Sequence, residues 1–398
     1  MNKKKVLFML TSMNIGGVEK SLLSLLSVIP KDKYDITILL LEKKGGFLND
    51  IPDWVKVEEA VWFKKIKPVI MQPPKKTIAD HMNKKEFLSV PAFAVAYFLS
   101  KKMDNRYLYY SYVLKNVPDN SYEYDAAIAY QGPTDVIDFY IANKVKAASK
   151  ISWVHFDVSK HQINLLLYEK LYSKMTKIYT VSVEARNKLV EKMPSVGHKT
   201  EVVISIVSPK VIVEMSLKEV NFDGDYKGIK LVTVGRLSRE KGQDIAIKVL
   251  SKLRTEGYEI KWYCVGEGNN RQEYEKLIEK YNLKDYFILL GAKKNPYPYI
   301  KQADIYIQPS RNEGYCLTLA EARRLNKPIV TTNFTGASEQ IQVGVTGLIA
   351  GSTEDLYNNI KKLIDYPEKR KLLTDNLRKQ QEQEKQRCLE SNLFEYII

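Results

Sequence analysis

The sequence predicts an α/β protein built from two doubly wound parallel sheets that face each other across a central cleft. Three observations lead there. The chain has 398 residues, which favours two cores over one. Short, continuously apolar runs alternate with amphipathic stretches, the pattern of parallel strands covered by helices on both faces. That alternation runs twice, with a stretch of little pattern between the two runs.

The first run supplies a Rossmann-like domain over residues 1–205. Residues 6–10, Val-Leu-Phe-Met-Leu, read as a buried opening strand. Lys3-Lys4-Lys5 before them looks briefly like a signal peptide. The apolar run stops at Leu10, however, Gly16-Gly17 follows, and no small-residue cleavage site is present. Further strands are expected at 36–41, 55–61, 126–130, 151–155 and 178–181, with helices at 18–28 and 163–174 among them.

Residues 62–123 interrupt this rhythm as an insertion. Lys64-Lys65, Lys67, Lys75-Lys76, Lys84-Lys85 and Lys101-Lys102 lie among Trp62, Phe63, Phe87, Phe93, Tyr97, Phe98 and a tyrosine-rich stretch at 107–112. Lysines interleaved with aromatics suit a lipid headgroup layer, where apolar bodies sink and charges stay wet. No apolar run reaches the roughly 18 residues of a spanning helix. The nearest, 87–99, is short and holds Pro91.

Residues 206–228, with Pro209 and Asn221-Phe222-Asp223-Gly224-Asp225, are expected to be the linker. A second Rossmann-like domain follows over 229–367. Its strands are expected at 230–234, 260–265, 287–290, 304–308, 329–332 and 347–349, and its helices at 243–255, 271–281, 317–325 and 354–366. Residues 368–398 are polar and helical, expected as a tail packing back across the first domain.

The formal charge is +15. Residues 1–205 carry 31 Lys/Arg against 21 Asp/Glu, and the remainder 31 against 26, so the excess sits mainly in the first half. There it is almost all lysine; only Arg106 and Arg186 occur. Lysine is a hydrated point charge, whereas base readout favours the arginine fork. An anionic membrane surface is therefore the expected polyanionic partner, and nucleic acid is not. Cys264, Cys316 and Cys388 form no CxxC pair, which suits a reducing compartment. The expected location is cytoplasmic, peripheral to the inner face of the cell membrane.

Ligands of open α/β sheets bind beyond the carboxyl ends of strands, so motifs there carry the chemistry. Gly235-Arg236 follows one such strand, and Lys241-Gly242 opens the next helix. Two cations beside a helix N-terminus could clamp a diphosphate. Glu313, Gly314, Tyr315, Cys316 and Leu317 follow another strand, with Glu321 on the ensuing helix. Carboxylates accept the hydroxyls of a diol, and Arg236 and Lys241 would offset their charge beside a phosphate. Gly266 and Gly268 form a third strand-end turn; Thr335-Gly336-Ala337-Ser338-Glu339 forms a fourth, which could lend amides to a phosphate or cap a helix.

In the first half, Gly16-Gly17 opens a helix after the first strand. Glu19-Lys20-Ser21 invites a P-loop reading, but the GxxxxGK spacing is absent. His155 ends a strand and points at the cleft by position. Asp223-Gly224-Asp225 follows no apolar strand, and no metal constellation is expected.

These motifs, Gly16-Gly17, His155, Gly235-Arg236, Lys241-Gly242, Gly266-Glu267-Gly268 and Glu313 to Glu321 in that order, resemble the retaining glycosyltransferases of family 4, whose architecture is GT-B. The resemblance covers nearly the whole chain. It implies Arg236 and Lys241 on the donor diphosphate, Glu321 on the ribose hydroxyls, Glu313 and His155 on the donor sugar, and the Gly16-Gly17 loop near phosphate and acceptor. It implies transfer with retention from a nucleotide sugar, UDP-linked, to a lipid-linked or cell-surface polysaccharide acceptor, with neither metal nor cofactor. A sugar-nucleotide epimerase or a phosphorylase on the same fold, or a silent glycan-binding scaffold, are the alternatives.

Overall fold

The structure, a computed structural model, describes residues 3–83, 89–160, 163–204, 209–220, 222–224 and 226–387. Lys84-Lys85, Phe87, Asp225, Cys388 and the end of the tail lie outside the described residues.

The strands are β1 (Lys4–Leu10), β2 (Tyr34–Leu40), β3 (Lys56–Glu59), β4 (Glu123–Gly132), β5 (Lys146–Val154), β6 (Lys177–Thr180), β7 (Thr200–Val202), β8 (Ile229–Val234), β9 (Ile260–Val265), β10 (Phe287–Gly291), β11 (Ile305–Gln308), β12 (Ile329–Thr332) and β13 (Leu348–Ala350). They form two parallel sheets, ordered β3-β2-β1-β4-β5-β6-β7 and β10-β9-β8-β11-β12-β13. In each sheet the chain starts near the middle, winds to one edge, and then crosses back to build the other side. The order reverses between β1 and β4 and between β8 and β11, and crevices open at such points.

The inner strands are buried on both faces, as continuous apolar runs require. Val6 to Leu10 are all fully buried, and the alternate residues feed the two apolar layers on either side of the first sheet. The second sheet is sandwiched in the same way, with Trp262 and Ile305 on one side and Tyr263 and Tyr306 on the other.

The insertion is helical, and part of it packs into the core. It forms helices at Phe63–Met71, Pro74–Asn83, Ser89–Lys102 and Arg106–Val113. Phe63, Phe93 and Tyr110 are buried, and Trp62 stacks on Tyr140 with ring centroids 4.7 Å apart. Most aromatics expected at a headgroup layer therefore face protein. Val95, Phe98 and Leu99 do not: they are exposed on the Ser89–Lys102 helix, just before Lys101 and Lys102.

Part of the expected linker packs onto the second sheet. Pro209–Ser216 is a helix, and Ile212 and Phe222 join the cluster around Val232 and Tyr263. Asp223 accepts bonds from Lys261 Nζ (2.7 Å) and the Tyr263 hydroxyl (2.5 Å), so its carboxylate is engaged structurally. The described part of the tail, Pro367–Arg387, lies on the second half. Leu373 and Leu377 are buried there, and Gln381 donates to the Arg323 carbonyl and to Asn326.

Candidate functional site

β8 ends at Val234, and Gly235-Arg236 turns out of the sheet with Arg236 exposed. The chain then makes a short turn over Arg239–Lys241 before the helix Gln243–Thr255. Gly242 joins them with φ +72°, and a side chain there would strike the Pro309 carbonyl oxygen. Only glycine meets both conditions. This sets Lys241 beside the loop that follows β11.

In that loop, Glu313 receives the Lys241 ammonium on both oxygens at 2.7 Å. The Ser310 hydroxyl donates to Oε1 at 2.8 Å, and Gln308 holds Ser310 in turn. The Glu313 side chain is 8% exposed, so the pair is largely desolvated. Burial works against the Lys241 charge, but Glu313 outweighs it and raises the lysine pKa. Such a pair holds its geometry only while both charges are present.

Beyond Glu313, Cys316 caps the helix Leu317–Arg324 with a left-handed backbone, φ +63°, a strained setting for a residue with a Cβ. Burial pushes its thiol pKa well up, so it is a thiol at neutral pH. Glu321 lies just over a turn into the helix and is 2% exposed. Its Oε1 accepts from Lys20 Nζ at 2.7 Å and from the Tyr297 hydroxyl at 3.2 Å, while its Oε2 is buried with no partner. The Lys20 ammonium also sits 4.2 Å above the Tyr297 ring.

Lys20 belongs to the first half, on the helix Gly17–Leu26 that the Gly16-Gly17 turn opens. Gly17 lies near Leu317, whose Cδ1 would be 3.8 Å from a Cβ added there. Glu19 beside it is buried; burial raises its pKa, and its own backbone amide and the charge of Arg236 pull it back. The sequence shows Glu19 and Lys20 only as neighbours of a failed P-loop pattern. Tyr297, within Asn295-Pro296-Tyr297-Pro298, carries no sequence signal of a site.

His155 follows β5, and its amide donates to the Gly132 carbonyl. Its ring lies 5.0 Å from Tyr130 and stacks with Trp153 at 6.0 Å. Burial pushes its pKa down to about 3, so the imidazole is neutral, and Nε2 is buried with no partner. Gly314 of the second half rests on it: a Cβ there would collide with the His155 carbonyl oxygen and stand 2.9 Å from Phe156 Cα. Tyr315 packs against the apolar cluster of the first sheet. His155, Gly314, Glu313 and Lys241 are thus assembled from both halves. Gly235 stands beside the Lys241 stem, and Gly266 and Gly268 border this cluster, packed on the backbone of the Gly235–Leu237 turn.

The contact between halves continues past the site. Glu339 accepts the amides of Val183 and Glu184 at 3.0 and 2.8 Å, and Glu184 accepts the amide of Gly336 at 3.1 Å. Ser182 donates to the Gly314 carbonyl at 3.2 Å, and Thr335 to Asp157 at 2.6 Å. Lys294 pairs with Asp50 at 2.8 Å. Among the described residues, no group of three or more His, Cys, Asp or Glu converges as metal ligands, and no helix is long and apolar enough to cross a membrane.

Comparison with known proteins agrees with this geometry. Residues 219–380 match the sequence profile of the family described as glycosyl transferases group 1. Protein CapJ of Staphylococcus aureus is 29% identical over 207 residues, 51% of each chain. The N-acetylgalactosamine-N,N'-diacetylbacillosaminyl-diphospho-undecaprenol 4-alpha-N-acetylgalactosaminyltransferase of Campylobacter jejuni is 24% identical over 212 residues, 52% of this chain and 56% of that one. The chain spans about half the length of the curated relatives it matches. The crystal structure of Anabaena Alr3699/HepE with UDP and glucose superposes with a TM-score of 0.66 at 18% identity, covering 94% of this chain and 93% of that one. At that identity the likeness establishes the fold, which is GT-B. The profile match falls on the half that holds Arg236, Lys241, Glu313 and Glu321, so the second half is similar to glycosyl transferases group 1 within a chain of GT-B fold.

Proposed function

We propose that the chain is a retaining glycosyltransferase that moves a hexose or N-acetylhexosamine from a UDP-linked donor to a lipid-linked or cell-surface polysaccharide acceptor. One observation carries the reading. Opposite charges on strand-end loops and the helices they open meet where the two halves touch: Lys241 on Glu313 and Lys20 on Glu321, with the exposed Arg236 close enough for its charge to act on Glu19. Arg236 and Lys241 bind the donor diphosphate, and Glu321 accepts the ribose hydroxyls. Glu313 and the neutral His155 contact the sugar. No metal is required, because the two cations and the helix N-termini stabilise the departing diphosphate. Docking of the halves excludes water and limits donor hydrolysis.

UDP and glucose bound to the Anabaena protein support a nucleotide-sugar donor. The undecaprenol-linked substrate in the Campylobacter enzyme's name supports a lipid-linked acceptor. Exposed Val95, Phe98 and Leu99 next to Lys101 and Lys102 support peripheral contact with an anionic membrane from the cytoplasmic side. The test is a nucleotide-sugar panel scored by thermal stabilisation, then by transfer. A bound ligand raises the melting temperature with the logarithm of its excess over Kd. UDP-sugars are expected to stabilise most; no shift from any nucleotide sugar would overturn the reading.

A further inference from the structure

We propose that Lys20 and Tyr297 are positioning residues for a ribose diol, acting through Glu321, and that Lys20 makes ribose recognition depend on the docking of the two halves. This rests on the assignment of Glu321 to the donor ribose.

The two oxygens of Glu321 are in different states. Oε1 takes both the Lys20 ammonium and the Tyr297 hydroxyl, while Oε2 is buried and accepts nothing. A carboxylate turns readily about its last bond, so its oxygens interchange unless one is held. Two donors on Oε1 fix the plane and leave Oε2 facing a hydroxyl that has yet to arrive. A buried acceptor without a donor is costly, so a ligand hydroxyl supplies what the protein withholds. Lys20 also sets a positive charge against a carboxylate that must lie near a diphosphate.

The three groups come from different places. Glu321 and Tyr297 are on helices of the second half, and Lys20 is on the first helix of the first half. The ring of Tyr297 under the Lys20 ammonium, 4.2 Å away, limits where that ammonium can go. The fixed carboxylate therefore exists only when the halves are docked.

A plain cross-domain ion pair would also stabilise docking, so the test must read the ribose itself. UDP, 2′-deoxy-UDP and 3′-deoxy-UDP are titrated calorimetrically into the full chain, wild type, Lys20→Met, Lys20→Arg, Tyr297→Phe and Glu321→Gln. The wild type is expected to prefer UDP over the poorer deoxy analogue by at least about ten-fold, as a site built for a hydroxyl does. Lys20→Met and Tyr297→Phe should compress that ratio to within about three-fold, and Lys20→Arg should keep most of it. If those two variants weaken UDP and deoxy-UDP equally, or keep the full ratio while Glu321→Gln loses it, the positioning role is wrong and the ribose assignment stands. A ratio that survives in Glu321→Gln overturns the ribose assignment and this proposal together.

Discussion

Lys241 reaches both oxygens of Glu313 at 2.7 Å, so the two charges lock the loop after β8 to the loop after β11. Neither is free to act as an isolated ion. On the proposed reading a ligand phosphate would share Lys241 with Glu313, and the carboxylate would keep the lysine in place once the phosphate left.

Removing one partner of this pair strands the other. Lys241→Ala is expected to destabilise the fold by about 3 kcal/mol, the cost of an uncompensated buried charge, and to abolish transfer. Combining Lys241→Met with Glu313→Gln should recover most of the lost stability in urea titrations while transfer stays absent. Recovery of transfer in the double variant would remove the pair from the donor site.

Arg236 is exposed, so its loss should be silent in the fold. Arg236→Ala is expected to leave the melting temperature unchanged and to lower kcat/KM by roughly 30- to 1,000-fold, the worth of a charge-assisted contact of about 2–4 kcal/mol. Glu321→Ala should fall in the same range. Near-normal transfer by either purified variant refutes its place in the site.

Gly314 has no side chain, and one methyl group there should be severe. A Cβ would enter the His155 carbonyl and press on Phe156. Gly314→Ala is expected to part the halves locally and to raise the donor KM more than ten-fold, by about 1.4 kcal/mol or more. Each half should keep its own far-UV signal. An unchanged KM would show that the halves need not touch there.

His155 should make the protein acid-sensitive. Burial holds its pKa at about 3, against 6.5 for an ordinary histidine. Above pH 6.5 both folded and unfolded chains are neutral at this ring, and no stability depends on it. As pH falls from 6.5 towards 3 the unfolded state takes the proton first, so stability drops over that window. His155→Gln should flatten this limb in pH-dependent melting. A limb of the same depth in the variant places the sensitivity elsewhere.

Phe98→Ser, with Val95→Ser, should weaken binding to vesicles containing anionic lipid at low salt without changing the melting temperature, because both residues are exposed. Losing two inserted side chains should lower partitioning by roughly ten-fold or more. Unaltered sedimentation with vesicles would leave the basic first half without a membrane role.

The central strands were legible because apolar runs bounded by turn residues admit little else. β7 was not: Thr200–Val202 is three residues at a sheet edge with only Thr200 buried. The helix Pro209–Ser216 was hidden by its proline and by the weak pattern around it. The insertion was legible only in part, for a physical reason. Aromatics among lysines suit both a headgroup layer and a helical subdomain, and composition cannot say which face is covered. Most are covered, as Phe93 and Tyr110 show. In the candidate site, motif spacing picked out Lys241, Glu313 and Glu321, in the loops and helix that follow strand ends. The Lys20 contact escaped because its partner Glu321 lies on a helix of the other half, and nothing in sequence separation reports the meeting of two folds. Tyr297 escaped because its contact with the candidate site is a single hydrogen bond to Glu321, a residue 24 positions away.

The exchanged carboxylates of Glu184 and Glu339 bear on how the halves could part. Each half finishes the other's backbone: three amides, of Val183, Glu184 and Gly336, have their acceptors across the boundary. Straight separation would strip all three at once, and charged acceptors make such bonds worth about 1.5–3 kcal/mol each. At Lys294 and Asp50 only an exposed pair must part, worth at most about 1 kcal/mol. A swing about the Glu184–Glu339 end would keep these three bonds and part Lys20 from Glu321 and Lys294 from Asp50. An opening of that kind would be a tilt of one half on the other, with the chain never coming fully apart.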